Sequence, residues 1–439
     1  MIYLIILAGL VLRLISINQS LWLDEATSAM IAKMSLVDMF TRFLPGDFHP
    51  PLYYLIIKYW TAVFGYSEVA LRIPSVLFGL GTIYITYLIA KKVFNNRVAL
   101  LSGALIATSG LSIYYSQEAR MYSLAALLVS LLVYLFLKKK WILFSIFLVL
   151  LAATDYVSLF VVPVFWLIGL KDWKKLTLAH IPVLSFFIVW FPIFQKQLFG
   201  GLSQEGSSWW NLLGPATFKN AALIPVKFIF GRISFNDKTL YGILAGAAIC
   251  LFGFILYEAG TYKVRRSSKL IWGWLILPVI LGIIISFKIP TLSYFRFIFC
   301  LPALYILIAA GIEILPKYKY LLSVVIFIIN LSSSMYYLLT PRFQREDWRA
   351  AANSIGTDTI VMPASSQTEA LEYYGKGKQI VNINNFNGGQ KEIWLSRYVW
   401  HVFDPEDLAR KKVESLGYNK TEEANFNGVI FYRYERKSI

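Results

Sequence analysis

The chain has 439 residues, of which 57% are hydrophobic and only 15% charged, and its mean hydropathy is +0.59. Since a soluble domain is about 45–50% apolar and about a quarter charged, this composition excludes a soluble globular protein. The net charge of +17 does not indicate nucleic-acid binding, because residues 341–439 are balanced, with 14 basic and 13 acidic side chains. Fifteen of the other 28 basic groups lie in short segments between apolar runs, as in a polytopic membrane protein with cytoplasmic basic loops.

The scarce cysteines and histidines form no recognisable site. Cys250 and Cys300 lie in separate apolar runs, which argues against a disulfide framework, and the three histidines are scattered along the chain. Residues 1–17 lack a basic leader segment and a small-residue cleavage site. We therefore expect them to be a retained first span rather than a signal peptide.

The apolar runs predict about eleven membrane spans, because a helix needs about 20 residues to cross about 30 Å of hydrocarbon. They are residues 2–17, 69–90, 98–115, 121–137, 141–153, 156–170, 177–194, 239–257, 270–287, 296–314 and 320–338. This assignment puts the basic loops on the cytoplasmic side and leaves the C-terminal tail outside. The sequence thus predicts a membrane domain, residues 1–340, and an extracytoplasmic domain, residues 341–439.

The first outer loop is predicted to contain helices that lie along the membrane surface. From Asp24 onward, Met30, Met34 and Val37 recur at helical spacing. Residues 51–64 give a helix only about 21 Å long, and a span there would move the basic loop 91–97 outside. We therefore place 51–64 flat on the outer face and expect a similar interfacial helix over residues 216–233.

The tail predicts a small α/β domain without a catalytic constellation. Its apolar runs and turn residues predict strands at 359–363, 379–383, 391–395 and 427–434, and helices at 345–355, 366–374 and 405–416.

Charged residues collect at the outer ends of the predicted spans, where burial near hydrocarbon is costly, so they are functional candidates. Carboxylates there are possible bases or metal ligands, and the cations suit a phosphate. The candidates are Arg13, Asp24, Glu25, His49, Arg72, Glu118, Arg120, Asp155, Lys288 and Arg296.

Structural alternatives stay open for these residues. Asp24 and Glu25 equally fit an N-cap and a first-turn acid that the helix dipole favours. Arg72 and Arg296 fit interfacial anchors, and Asp155 fits a helix cap. Arg13 fits an arginine whose long side chain reaches up to the interface. His49 fits a turn residue, and Lys288 fits a surface lysine.

Taken in order, several segments resemble the successive signatures of one family. They are Arg13, Leu21-Trp22-Leu23-Asp24-Glu25-Ala26, His49-Pro50-Pro51-Leu52-Tyr53-Tyr54, Leu71-Arg72-Ile73-Pro74-Ser75 and Tyr114-Tyr115-Ser116-Gln117-Glu118-Ala119-Arg120-Met121-Tyr122. The chain resembles the protein-mannosyltransferase-like, aminoarabinose-transferase-like branch of the GT-C glycosyltransferases. The sharp match covers about residues 10–125, and the predicted topology extends it to about 340. Tyr294-Phe295-Arg296-Phe297 with Pro302 resembles a later segment more loosely.

That resemblance implies an α-helical, polytopic GT-C-like enzyme of the plasma membrane with an extracytoplasmic active site. The donor would be a polyprenyl-phosphate sugar, the acceptor a hydroxyl of a lipid, glycan or protein, and C1 would be inverted. Asp24 would be the catalytic base with Glu25 beside it, and Arg72 would bind the donor phosphate. The other candidates for phosphate binding are Arg120, Arg296 and Lys288, and further active-site candidates are His49, Tyr53, Glu118 and Asp155.

The resemblance leaves a divalent metal ion as an option. Some relatives place a metal-binding acid in the second outer loop, where this chain has Glu118, so a metal would use Asp24 and Glu118. The chain has no acidic pair in that loop, which argues against such a site.

Two other functions fit part of the pattern. A transporter or flippase would move a lipid-linked sugar without chemistry, and Asp155 in the short pair of spans over 141–170 favours it. Transporters tend to show repeats and charges near the midplane, whereas here the charges cluster at one face. A scaffold acting through its tail would leave the acidic pair and its arginines unexplained.

Overall fold

The computed structural model describes residues 1–203, 210–261, 266–364 and 366–436. Its larger part is helical. The helices are α1 (Ile2–Leu14), α2 (Leu23–Lys33), α3 (Leu36–Asp38), α4 (Leu52–Phe64), α5 (Glu68–Val93), α6 (Asn96–Thr108), α7 (Gly110–Ser116), α8 (Tyr122–Leu137), α9 (Trp141–Ala152), α10 (Val162–Gly169), α11 (Trp173–Leu202), α12 (Trp210–Leu213), α13 (Phe218–Phe230), α14 (Lys238–Thr261), α15 (Arg266–Ile285), α16 (Leu301–Glu313) and α17 (Lys319–Leu339). Shorter 3-10 segments, Val157–Val161 and Tyr294–Cys300, precede α10 and α16.

Each predicted span coincides with a helical segment. Within the described ranges, six segments are long and apolar enough to cross a membrane, or seven if the bent pair α6 and α7 is one span. One of the six is the continuous run Val157–Leu202, which contains two predicted spans. Because α1, α4, α8 and α9 are apolar but shorter, the total of eleven spans stays a prediction.

Arg13 stabilises the bend between α6 and α7, which meet at an angle of 60°. The side chain is fully buried. It donates to the Ala107 carbonyl at 3.0 Å and to the hydroxyls of Ser112 and Ser116 at 2.8 and 3.1 Å. The prediction that Arg13 reaches the interface is wrong, because the bend supplies the acceptors that a buried guanidinium needs.

The two helices predicted between the first and second spans are present as α2 and α4, but α2 ends at Lys33, so Met34 and Val37 do not continue it as the spacing predicted. α2 has Trp22 as its N-cap residue and both acids, Asp24 and Glu25, in its first turn. α4 ends at Gly65, whose φ of +82° favours glycine. α4 packs against α2 and α5, so these two helices lie next to the end of α5 that contains Arg72.

The tail forms a five-stranded sheet in the order β2-β1-β3-β5-β4. The strands are β1 (Thr359–Met362), β2 (Ile380–Asn382), β3 (Glu392–Ser396), β4 (Tyr418–Phe426) and β5 (Val429–Arg436). β1 pairs in parallel with β2 and β3, whereas β5 is antiparallel to β3 and β4. The helices are α18 (Trp348–Ile355), α19 (Glu369–Tyr373), α20 (Trp400–Phe403) and α21 (Leu408–Ser415). All the strands and helices predicted for the tail are present.

The strand β4 escaped the sequence analysis. Its side chains are mostly exposed, so it lacks the apolar alternation that marks a half-buried strand. It reaches β5 through a turn in which Asn427 and Gly428 have φ of 51° and 102°. An Asn-Gly pair is a strong hairpin signal and would have revealed the strand.

The tail contacts the segment between α1 and α5 through partly buried polar contacts. The Tyr374 hydroxyl accepts from the backbone N–H of Leu21 at 2.9 Å, and Tyr373 donates to the Tyr66 carbonyl at 2.6 Å. The helix α19 packs against α2. The tail therefore covers the helix that contains both acids.

Candidate functional site

Asp24 is a first-turn acid that is open to solvent beside a buried cation. Its side chain is 40% exposed, and its Oδ2 lies 3.7 Å from Nη2 of the buried Arg120. Arg120 belongs to the turn between α7 and α8. Trp22 is the N-cap residue of α2, and no side chain makes a capping hydrogen bond there. The carboxylate of Asp24 is therefore not used in a hydrogen bond that caps the helix.

Glu25 is buried in an ion-pair network. Its carboxylate accepts from Nε and Nη2 of Arg72 at 2.8 and 2.5 Å and from the backbone N–H of Ala119 at 2.8 Å. Nε of Arg345 lies 3.2 Å from its Oε2. Burial alone would raise the pKa of Glu25, but the two guanidinium groups outweigh it and lower the pKa. Glu25 is therefore a buried anion.

Every N–H of the Arg72 guanidinium is already used within the protein. Besides the two bonds to Glu25, it donates to the carbonyls of Ile17 and Gln19 at 2.7 Å each and of Ser20 at 2.9 Å. A guanidinium has five donors, so none is left for a phosphate. The geometry favours a structural role for Arg72 over the phosphate-binding role that the resemblance implies.

A chain of polar contacts leads from Arg120 to His49. Nη1 of Arg120 lies 3.4 Å from the Tyr54 hydroxyl, which donates to Asp47 Oδ2 at 2.7 Å. Nδ1 of His49 lies 3.5 Å from Asp47 Oδ1. Burial raises the pKa of Asp47, but the charges of His49 and Arg120 and the bonds from His49 and Tyr54 lower it to about 2. Asp47 is therefore ionised at neutral pH.

His49 also lines an apolar cavity of about 420 Å³. Most of its wall consists of aliphatic and aromatic side chains, including Phe187, Phe194 and Leu281. Polar side chains on the wall are His49, Asp155, Tyr156, Gln197, Thr291 and Arg296. A mostly apolar cavity with a few polar groups fits a ligand with a long apolar part and a polar head.

Arg296 is the cation on the cavity wall. Its Nη1 donates to the Pro290 carbonyl at 2.7 Å, and no described carboxylate makes an ion pair with it. It is close enough to Tyr122, Asp155 and Arg120 to interact with them electrostatically. Arg296 therefore keeps donors available for an anion at the polar part of the cavity.

The other cavity and loop candidates have structural roles or lie elsewhere. Asp155 accepts from the backbone N–H and hydroxyl of Ser158 at 2.8 and 2.5 Å, so it stabilises the first turn of the 3-10 segment, whose N-cap residue is Tyr156. Tyr53 is fully buried against the hydroxyl of Ser75 at 3.1 Å. Lys288 is exposed and does not line the cavity.

The sequence and the structure were compared with known protein families and solved structures. Residues 48–195, about a third of the chain, match the sequence profile of the family described as dolichyl-phosphate-mannose-protein mannosyltransferase. No curated protein sequence matches the chain significantly.

Solved structures match over almost the whole chain. ArnT from Cupriavidus metallidurans in the apo state has a TM-score of 0.62 at 13% identity, and its structure bound to undecaprenyl phosphate has 0.60 at 12%; both cover 98% of this chain and 97% of theirs. The archaeal oligosaccharyltransferase AglB from Archaeoglobus fulgidus, in complex with an inhibitory peptide and a dolichol-phosphate, has 0.57 at 12%, covering 98% of this chain and 73% of its own. The chain shares the fold of these structures, and its residues 48–195 resemble the mannosyltransferase family.

Within this fold, Glu118 does not fit a metal ligand. It accepts from the indole N–H of Trp22 at 3.1 Å, and its Oε2 lies 4.0 Å from Nη2 of Arg345. Burial raises its pKa to about 7, against the opposing charge of Arg345. No group of three or more His, Cys, Asp and Glu side chains in the described parts of the chain could hold a metal. Since Asp24 and Glu118 each face an arginine, the pair does not suit a divalent cation.

Three residues close to the candidate site escaped the sequence analysis. Asp47 lies two residues before His49, and that short spacing was a usable signal. The guanidinium of Arg232 lies 4.6 Å from the ring centre of Tyr114, but its sequence surroundings show only a weak amphipathic pattern. Arg345 comes from the start of the tail, far from the acids in sequence, and no local pattern identifies it.

Proposed function

We propose that this chain is a membrane glycosyltransferase that moves a sugar from a polyprenyl-phosphate donor to an acceptor hydroxyl at the extracytoplasmic face. One observation supports this most strongly: contacts through Arg120, Tyr54 and Asp47 join the half-exposed Asp24 to an apolar cavity that His49 also lines. The matched ArnT and AglB structures contain undecaprenyl phosphate and dolichol-phosphate. Both are polyprenyl phosphates, which combine a long apolar chain with an anionic head.

The cavity suits the donor's lipid part. Its apolar wall would bury part of a prenyl chain, at roughly 25 cal/mol for each Å² removed from water. The phosphate would lie against Arg296, with Arg120 as the second cation. Guanidinium groups bind phosphate oxygens through charge-assisted hydrogen bonds.

The proposed reaction is a single displacement at C1. Asp24 accepts the proton of the acceptor hydroxyl as its oxygen forms the new bond to C1. The bond from C1 to the phosphate oxygen breaks, and the lipid phosphate leaves with the electron pair, so configuration at C1 inverts. Arg296 and Arg120 stabilise the charge on the leaving group, which removes the need for a general acid.

The orientation in the membrane is supported by the charge distribution along α5. Arg72 lies near the start of this helix and Lys91 and Lys92 near its end, about 30 Å away at 1.5 Å per residue. The predicted cytoplasmic loops contain 15 of the 28 basic residues within residues 1–340, in line with the positive-inside rule. We place the acids and the tail domain outside the plasma membrane on this basis.

The direct test incubates the purified protein in detergent with radiolabelled polyprenyl-phosphate sugars and lipid, glycan and peptide acceptors. We expect free polyprenyl phosphate and a labelled acceptor to form in equal amounts. Movement of intact donor across a vesicle membrane without these products would support a flippase and contradict the proposal.

A further inference from the structure

Arg345 is the residue of the tail segment that reaches the buried acids. It lies between the end of α17 and the start of α18, and its side chain is 1% exposed. Nε is 3.2 Å from Glu25 Oε2, and Nη2 is 4.0 Å from Glu118 Oε2. The guanidinium also donates to the Tyr337 hydroxyl and the Tyr114 carbonyl, both at 3.2 Å. The tail thus contributes a buried cation to the centre of the site.

Arg345 lies between two buried carboxylates. Glu25 is an anion paired with Arg72 and Arg345, and Glu118, whose pKa burial raises, interacts with the charges of Arg345, Arg232 and Arg120. Buried charges are tolerated when they are paired, and loss of one partner leaves a charge with less compensation. Removal of Arg345 alone would therefore take one of two cationic partners from Glu25 and the described ion-pair partner from Glu118.

Both carboxylates connect Arg345 to the first turn of α2. Glu25 belongs to that turn and directly follows Asp24. Glu118 binds the indole N–H of Trp22, the N-cap residue of the same helix. Arg345 does not line the apolar cavity, so its contacts concern the position of α2 and not the lipid.

We propose that Arg345 is a positioning residue, which pairs with Glu25 and Glu118 and thereby fixes the first turn of α2 and the orientation of Asp24. The C-terminal domain is therefore part of the catalytic unit. This inference rests on the proposed function, because only the transfer reaction gives the orientation of Asp24 a consequence.

The test measures kcat and donor KM for full-length Arg345→Gln, Arg345→Lys and the double variant Arg345→Gln/Glu118→Gln, with a radiolabelled polyprenyl-phosphate sugar. Binding of undecaprenyl phosphate reports on folding and on the cavity. We expect Arg345→Gln to lower kcat at least tenfold while its affinity for undecaprenyl phosphate stays within about twofold of wild type. Arg345→Lys keeps the charge and should lose less. The double variant removes the carboxylate of Glu118 together with its cationic partner, and its kcat should be at least three times that of Arg345→Gln.

Arg397 offers a matched control in the same domain. It is buried, and its Nη1 pairs with Asp404 at 3.2 Å and Asp407 at 2.7 Å, without contact to Glu25 or Glu118. We expect Arg397→Gln to keep the wild-type kcat per folded molecule. An equal loss of kcat in Arg397→Gln would overturn the proposal, because any disturbance of the tail would then suffice.

The other outcomes also decide. An unchanged kcat in Arg345→Gln, or a double variant no better than the single one, would overturn the positioning role. If Arg345→Gln does not bind undecaprenyl phosphate, Arg345→Lys is compared with the double variant Arg345→Lys/Glu118→Gln. The double variant should transfer more slowly, because its lysine has lost the Glu118 carboxylate and leaves an excess positive charge. Equal transfer rates overturn the proposal. Absence of transfer by the wild type would overturn the proposed function and this inference with it, whereas active wild type with unaffected Arg345→Gln overturns this inference alone.

Discussion

Replacement of Arg72 by glutamine tests whether this arginine is structural or binds the donor. The change removes a guanidinium with five hydrogen bonds and leaves the buried Glu25 with Arg345 as its remaining cationic partner. Breaking a buried ion pair by removing one partner costs about 3–5 kcal/mol. We expect Arg72→Gln to lower the free energy of unfolding by about that amount.

The assay is chemical unfolding in mixed detergent micelles, followed by tryptophan fluorescence, together with undecaprenyl phosphate binding by the fraction that remains folded. That affinity should be close to the wild-type value, since Arg72 has no donor free and does not line the cavity. The contrasting variant is Arg296→Gln, whose only described hydrogen bond is to a carbonyl. It should keep its stability and lose about 10- to 150-fold in affinity, because hydrogen bonds to a charged group are worth about 1.5–3 kcal/mol. A stable Arg72→Gln that binds undecaprenyl phosphate tenfold more weakly would refute the reasoning.

Two further variants test the cavity and the buried acid. Gly201 lines the cavity and Gly200 does not, so Gly201→Leu should occupy part of the cavity and weaken undecaprenyl phosphate binding about tenfold. Gly200→Leu is the control, because its Cβ position has open space around it, and it should bind undecaprenyl phosphate as wild type does. Equal affinities of the two variants would count against the cavity as the lipid site. Burial raises the pKa of Glu118 from its ordinary value of 4.5 to about 7, so ionisation of this group costs the folded state stability as pH rises through that window. The measured quantity is the difference in the free energy of unfolding, Glu118→Gln minus wild type. This difference should increase between pH 5 and pH 8, by about 3 kcal/mol at most. A difference that is flat across this range would contradict the raised pKa of Glu118.

The sequence predicts the helical segments well because their determinants are local. The length of an apolar run decides whether it can span a membrane, and α5 and α8 follow their predicted ranges closely. α4 was placed correctly as a helix because Pro51 and Gly65 mark its ends. The tail strands with apolar alternation were found for the same reason.

What the sequence does not reveal is which charges meet. Three arginines with similar apolar surroundings in the sequence have different contacts in the structure. Arg13 stabilises a helix bend, and Arg72 uses all its donors on Glu25 and backbone carbonyls. Arg296 keeps donors available at a cavity. These differences arise from acceptors contributed by distant segments. Arg345 lies more than 200 residues from Glu118, so only the folded chain reveals their contact.

The central claim is that Asp24 is the base, and its replacement by asparagine tests this most directly. General base catalysis contributes typically 10²–10⁴-fold, so Asp24→Asn should lower kcat by about that factor while undecaprenyl phosphate affinity stays near wild type. Asp38 is the matched control, since it is an exposed carboxylate of the same segment between α1 and α5 and also pairs with an arginine, Arg42, at 3.1 Å. Asp38→Asn should transfer at the wild-type rate. Near-wild-type transfer by Asp24→Asn would contradict the account.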